Sequence, residues 1–189
     1  MKTLDIAQYP VTYAIIGINF IIFLLIHAGK LHVKNLGTSY MLTLQQKQYY
    51  RIVTSAFTQA EFMHLAMNMY SLYNLGSVLE YALGPRIYVI CYGVIMLLEG
   101  ILSAMIHKKK SPFTLCIGAS GVLCGLLGIY MVIAYSVWGF AGIKSVIPTI
   151  AILIFMTTSP KIDSIGHFTG LAVGIICGIA LINIYSFGY

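Results

Sequence analysis

Long stretches of this chain carry no charged side chain, and that feature leaves few folds open to it. A hydrocarbon layer about 30 Å thick is crossed by roughly 20 helical residues, and the uncharged runs have about that length. Within such a layer every backbone N–H and C=O must find a partner inside the chain, so the runs read directly as helices. Of the 189 residues, 59% are hydrophobic and 8% are charged, against about 25% charged in an ordinary soluble domain. A surface that apolar would aggregate in water, which excludes a water-soluble globule. The fold class expected is an all-α membrane protein, with residues 1–189 forming one domain. The net charge of +6 does not imply nucleic acid, because the basic residues stand singly or in one short run between apolar stretches. They read as contacts to the headgroups of a lipid bilayer.

Six spans are expected. The first covers 6–29, with Pro10 suited to a first helical turn and Gly29 and Lys30 to an exit. Residues 30–60 hold Lys30, Lys34, Lys47 and Arg51 among aromatics, which predicts a long interfacial loop with short helices. The second span, 61–83, stops at Gly84 and Pro85, since proline cannot continue the hydrogen-bond ladder. The third, 86–106, contains Glu99, which must face protein or water or else be protonated. A fourth covers 118–137, a fifth 144–159 ending at Pro160, and a sixth 164–185. Both termini then lie on one side. The positive-inside rule, counted over the loops, favours an N-terminus outside. The first run is too long for a signal-peptide core and is expected to stay as a span. The histidines at span ends, His27, His32 and His107, read as interfacial. Cys91, Cys116, Cys124 and Cys177 lie inside apolar runs and show no zinc-like pairing, so neither a metal nor a disulfide framework is expected.

Polar groups inside lipid are costly, which makes each of them a candidate for function. His64 and Asn68 are four apart and share a helix face, where they could aim donors at one point or simply bond a neighbouring helix. Ser120 sits at the start of the fourth span between small residues, where a lone serine is ordinarily a packing residue. On the sixth span Gly166, Gly170, Gly174 and Gly178 recur every fourth residue, a stripe that admits another helix backbone, and Gly121, Gly125 and Gly128 form a second ridge. At 100° per residue Gly174 lies within about 20° of His167 around the helix. If the two glycine faces meet, Ser120 and His167 become neighbours.

These residues resemble the rhomboid intramembrane serine proteases. Tyr50 and Arg51 look like that family's Trp-Arg pair, with Tyr for Trp. His64 and Asn68 match its His-x-x-x-Asn, and Glu80 matches an acidic residue near the end of the same span. Gly118, Ala119, Ser120 and Gly121 match Gly-x-Ser-Gly, and His167 with Gly170 and Gly174 matches the sixth-span histidine and its glycines. The resemblance implies a six-helix rhomboid-like bundle that cleaves transmembrane protein substrates without a cofactor, with Ser120 as nucleophile and His167 as general base. It also implies a cytoplasmic N-terminus, which is followed here against the charge count.

The amide of Ser120, free at a helix start, and the side chains of His64 and Asn68 would bind the oxyanion. The fifth span, the 30–60 loop and the Ser164 end are candidates for a substrate gate. The family pattern is broken at Cys124, where many relatives carry a tyrosine that supports the histidine ring. Asp163 could orient His167 or merely cap the sixth helix. Arg51 reads as a headgroup or loop-capping contact and Glu80 as a brace for the same loop. Two other functions compete: a catalytically silent relative that binds transmembrane clients, and a transporter, against which the lack of an evident internal repeat counts. A compact chain of this kind is expected in a bacterial plasma membrane. Its oligomeric state and natural substrate are not written in the sequence.

Overall fold

The structure, a computed structural model, describes residues 7–109, 111–144, 147–148, 150–151 and 164–185. The chain is an all-α membrane fold. Helix α1 is Pro10–His27; the following loop carries α2 (Val33–Leu36), a π-helical turn (Tyr40–Gln45) and α3 (Tyr50–Ala56). Then come α4 (Phe62–Ser71), a second π-helical turn (Leu72–Gly76), α5 (Ser77–His107), α6 (Ser120–Trp138), the short α7 (Phe140–Lys144) and α8 (Ser164–Ile184). Four stretches among the described residues are long and apolar enough to cross a membrane: Pro10–His27, Phe62–His107, Ser120–Trp138 and Ser164–Ile184. Most of the fifth expected span, with Pro160 and Asp163, lies outside the described residues.

The 46-residue stretch Phe62–His107 would be about 69 Å long as one straight helix, twice the hydrocarbon thickness. It does not run straight. Gly84 takes φ 75° and ψ 156°, a conformation open to glycine, and Pro85 follows it. The chain doubles back there: a Cβ on Gly76 would lie 2.6 Å from the Tyr88 hydroxyl, although the two would be about 18 Å apart along an unbroken helix. The break falls where Gly84 and Pro85 predict the end of the second span.

Helix α1 begins with Pro10 in its first turn, and its N-cap residue Tyr9 offers no side-chain bond. The cap comes from Glu80, whose carboxylate accepts the amides of Val11 at 2.9 Å and Thr12 at 2.8 Å. Glu80 therefore braces α1, not the 30–60 loop as expected. A buried carboxylate needs such donors, and the positive end of a helix supplies them. His107 also departs from expectation. It is buried, with Nδ1 3.0 Å from the Ser111 hydroxyl, while His27 and His32 are exposed.

Helix α6 is the core of the bundle. Every residue from Ser120 to Ile129 is buried, so this helix is enclosed on all sides for its first half. Its main partner is α8, and the two meet glycine to glycine. A Cβ on Gly170 would run into the carbonyl of Gly121, and one on Gly174 into the carbonyl of Gly125. One on Gly128 would stand 2.7 Å from the Leu171 carbonyl oxygen. The stripes expected from the spacing thus meet in the seam, and at Gly128, Gly170 and Gly174 no residue with a Cβ fits without moving a backbone.

Candidate active site

Three elements converge near the start of α6. The loop before it is pinned on one side: Thr38 and Cys116 exchange backbone hydrogen bonds of 3.0 and 2.8 Å, and the Gly118 amide donates to the Ser55 carbonyl at 2.9 Å. Arg51 holds the earlier 30–60 loop together. Its guanidinium, 5% exposed, donates to the carbonyls of Lys34 at 3.0 Å and Gly37 at 2.8 Å and to Gln48 Oε1 at 2.6 Å. Arg51 is therefore the loop cap, and the headgroup alternative falls away. Tyr50 is exposed beside it.

Ser120 is the first residue of α6, so its amide belongs to the turn whose N–H groups have no partner within the helix. His167 lies in the first turn of α8. The glycine seam holds the two helix starts together, and Nε2 of His167 comes 2.7 Å from Oγ of Ser120. Both side chains are 5% exposed. The separation lies in the range that proton transfer between a base and a nucleophile requires.

His64 and Asn68 lie on α4, one turn apart. The His64 ring stands against Gly118: a Cβ there would be 2.9 Å from its Cε1 and 3.3 Å from its Nε2. Gly118 also has φ 116°, so this position requires glycine twice over, for space and for backbone. Nε2 of His64 is buried and makes no hydrogen bond among the described residues. Asn68 is fully buried, and its Nδ2 donates to Gln59 Oε1 at 3.0 Å. Gln59 in turn donates from Nε2 to Asn19 Oδ1 at 3.2 Å, and Asn19 Nδ2 donates to the Ile15 carbonyl at 2.9 Å. Neither Gln59 nor Asn19 stands out in the sequence, since the first falls in a stretch that reads as interfacial loop and the second is one amide in an apolar run.

A cavity of about 30 Å³ opens beside the serine and histidine, lined among others by Ser120, His167, Gly121 and Glu99. Room of that order holds about two waters. Glu99, which the sequence requires to face protein or water, reaches Gly121: a Cβ on that glycine would lie 2.7 Å from its carboxyl carbon. His64 and Asn68 do not line this cavity; the His64 ring abuts Gly118, which does. Cys124 is buried one turn beyond Ser120, so no aromatic ring stands at that position. Asp163 falls outside the described residues. The arrangement offers a hydroxyl against an imidazole, a free helix-start amide, neighbouring side-chain donors and a wettable hollow.

Comparison with known proteins adds an independent line. A family model described as Rhomboid domain matches residues 46–184. The chain is similar to RHOMBOID-like protein 6, mitochondrial, of Arabidopsis thaliana, 30% identical over 148 residues that cover 74% of this chain and 46% of that protein. It is similar to the rhomboid protease GluP of Bacillus subtilis, 27% identical over 179 residues, 90% of this chain and 34% of that protein. It is also similar to the putative rhomboid protease YdcA of the same organism, 25% identical over 179 residues, 90% of this chain and 88% of that one. Against two plant relatives the chain spans about half their length, 46% and 52%.

Proposed function

Because the chain belongs to the rhomboid family, we propose that it is an intramembrane serine endopeptidase cutting transmembrane proteins within or near their membrane segment, with Ser120 as nucleophile and His167 as general base. The observation that carries this reading is the 2.7 Å approach of Nε2 to Oγ between two buried side chains from separate helices. Relatives named as proteases support it. The hydroxyl alone is a weak nucleophile, and an imidazole in hydrogen-bond reach activates it.

In the proposed reaction Oγ of Ser120 attacks the scissile carbonyl carbon while its proton passes to Nε2 of His167. The carbonyl oxygen becomes an oxyanion, held by the Ser120 amide and by the side chains of Asn68 and His64. Collapse of this intermediate breaks the C–N bond, and the leaving amine takes the proton from His167. Water then enters the cavity beside the acyl-serine, gives a proton to His167 and attacks the ester, which frees the carboxyl product and returns the proton to Ser120. In this reading residues 1–189 act as one domain that needs no metal or cofactor. Its proposed setting is a bacterial plasma membrane, supported by the match along most of the Bacillus subtilis protein.

The test is cleavage of a fluorogenic transmembrane substrate by the full chain in liposomes, beside Ser120→Ala and His167→Ala. Either change is expected to lower kcat by at least about 10³-fold with the fold intact. Turnover that survives both sinks the assignment. A wild type that retains transmembrane clients across a substrate panel and cleaves none places the chain with the silent, client-binding relatives.

A further inference from the structure

The amides of Asn19, Gln59 and Asn68 form an unbroken relay, all three fully buried. A primary amide has a donor end and an acceptor end of nearly equal size, and either can be turned toward a neighbour. Here the choice is forced. The Ile15 carbonyl can only accept, so Asn19 must give it the NH₂ and turn its own oxygen away. That oxygen can only accept, so Gln59 must meet it with NH₂ and present Oε1 to Asn68. Asn68 must then turn its NH₂ to Gln59. One backbone carbonyl on α1 thereby dictates the polarity of three side chains on three segments.

The middle of the relay reaches the loop just before α6. Gln59 Oε1 is 3.6 Å from where a Cβ on Gly118 would stand, at the spot that the His64 ring also abuts, two residues before Ser120. An NH₂ group has two hydrogens and Gln59 occupies one. The second is available to an oxygen bearing negative charge, whereas the flipped Asn68 would present its carbonyl there and repel it. Oδ1 of Asn68 and Nε2 of His64 are buried with no hydrogen-bond partner among the described residues, the kind of unsatisfied pair that a functional site keeps.

We propose that Gln59, itself oriented by Asn19, is a positioning residue that fixes Asn68 with its amide hydrogens toward the oxyanion formed at Ser120. The assignment rests on the protease reading for its purpose. The relay has a signature of its own.

The experiment is a double-mutant cycle on the full chain in liposomes, with Gln59→Leu and Asn68→Ala alone and combined. Gln59→Leu is expected to lower kcat about tenfold or more with KM within about twofold, as for an interaction made only in the transition state. In the Asn68→Ala background it should cost nothing further, because Gln59 acts only through Asn68. Losses that multiply in both backgrounds, or an unchanged kcat, overturn the proposal. Gln59→Met, of the same length, replaces Gln59→Leu if the latter does not fold. The relay is also read without turnover, from the side-chain amide of Asn68 in ¹⁵N-labelled protein. One of its hydrogens should resonate downfield, and Gln59→Met should remove that shift; a resonance indifferent to position 59 overturns the proposal. An inactive wild type with the shift present sinks the protease reading and leaves the relay standing.

Discussion

The carboxylate of Glu80 accepts the backbone amide of Thr12 at 2.8 Å, from a position 68 residues along the chain. Since it also takes the Val11 amide, one buried side chain closes the N-terminus of α1 and ties it to α5. Glu80→Gln keeps the shape, but its NH₂ end cannot accept an amide hydrogen and the charge is gone. The expected outcome is a loss of about 1–3 kcal/mol, read as a lower Tm in detergent. Cleavage per folded molecule should stay near wild type, because the site at Ser120 is not touched.

Two glycines separate space from backbone conformation. Gly174 has no room for a Cβ because the Gly125 carbonyl fills the place, whereas Gly84 has nothing within 4 Å and a φ of 75°. Gly84→Ala is expected to cost about 1–3 kcal/mol, since a positive φ joined to a ψ of 156° is a conformation essentially confined to glycine. Gly174→Val must spread α6 from α8 and should cost more than the 1–3 kcal/mol typical of overpacking. Thermal unfolding of the two variants in one detergent, with cleavage measured beside it, checks the ranking: Gly174→Val should lose both stability and turnover.

Gly118→Ala meets both obstacles at once, a φ of 116° and the ring of His64 2.9 Å from the new carbon. The ring must move from its present place. If His64 is an oxyanion donor, its displacement should lower kcat by about 10²-fold, the usual loss for one such donor. The His64→Ala variant provides the comparison: the two changes together should cost little more than either alone.

Arg51→Lys keeps the charge and loses the fork that spans Lys34, Gly37 and Gln48. An ammonium group on a flexible stem cannot serve all three acceptors in the same geometry. The 30–60 loop should loosen, seen as faster nicking of that segment by an added protease, with a fall in Tm smaller than that for Gly174→Val.

The sequence carries the seam between α6 and α8 openly, because glycines three or four residues apart on two apolar runs can serve few purposes besides backbone contact. From that contact the meeting of Ser120 and His167 follows by helix geometry alone. The reversal at Gly84 is legible for a similar reason, since a Gly followed by Pro has a local mechanism. Other features lack one. Nothing near Leu72–Gly76 marks a π-helical turn. Glu80 and His107 have partners that depend on how distant helices dock, so the reading of each as an interfacial or loop group misses its place. Gln59 is hidden most fully: a polar residue in a polar stretch looks solvated until the fold buries it against Asn19 and Asn68.

A seam made of bare backbone has no rotamers to exchange. Side chains can slide past one another and re-sort, but Gly125 beneath Gly174 offers nothing that could give. The alcohol and the imidazole therefore ride on one rigid body, and their spacing should survive any opening movement elsewhere in the bundle. Whatever else in the bundle parts, the joint between α6 and α8 is expected to stay shut.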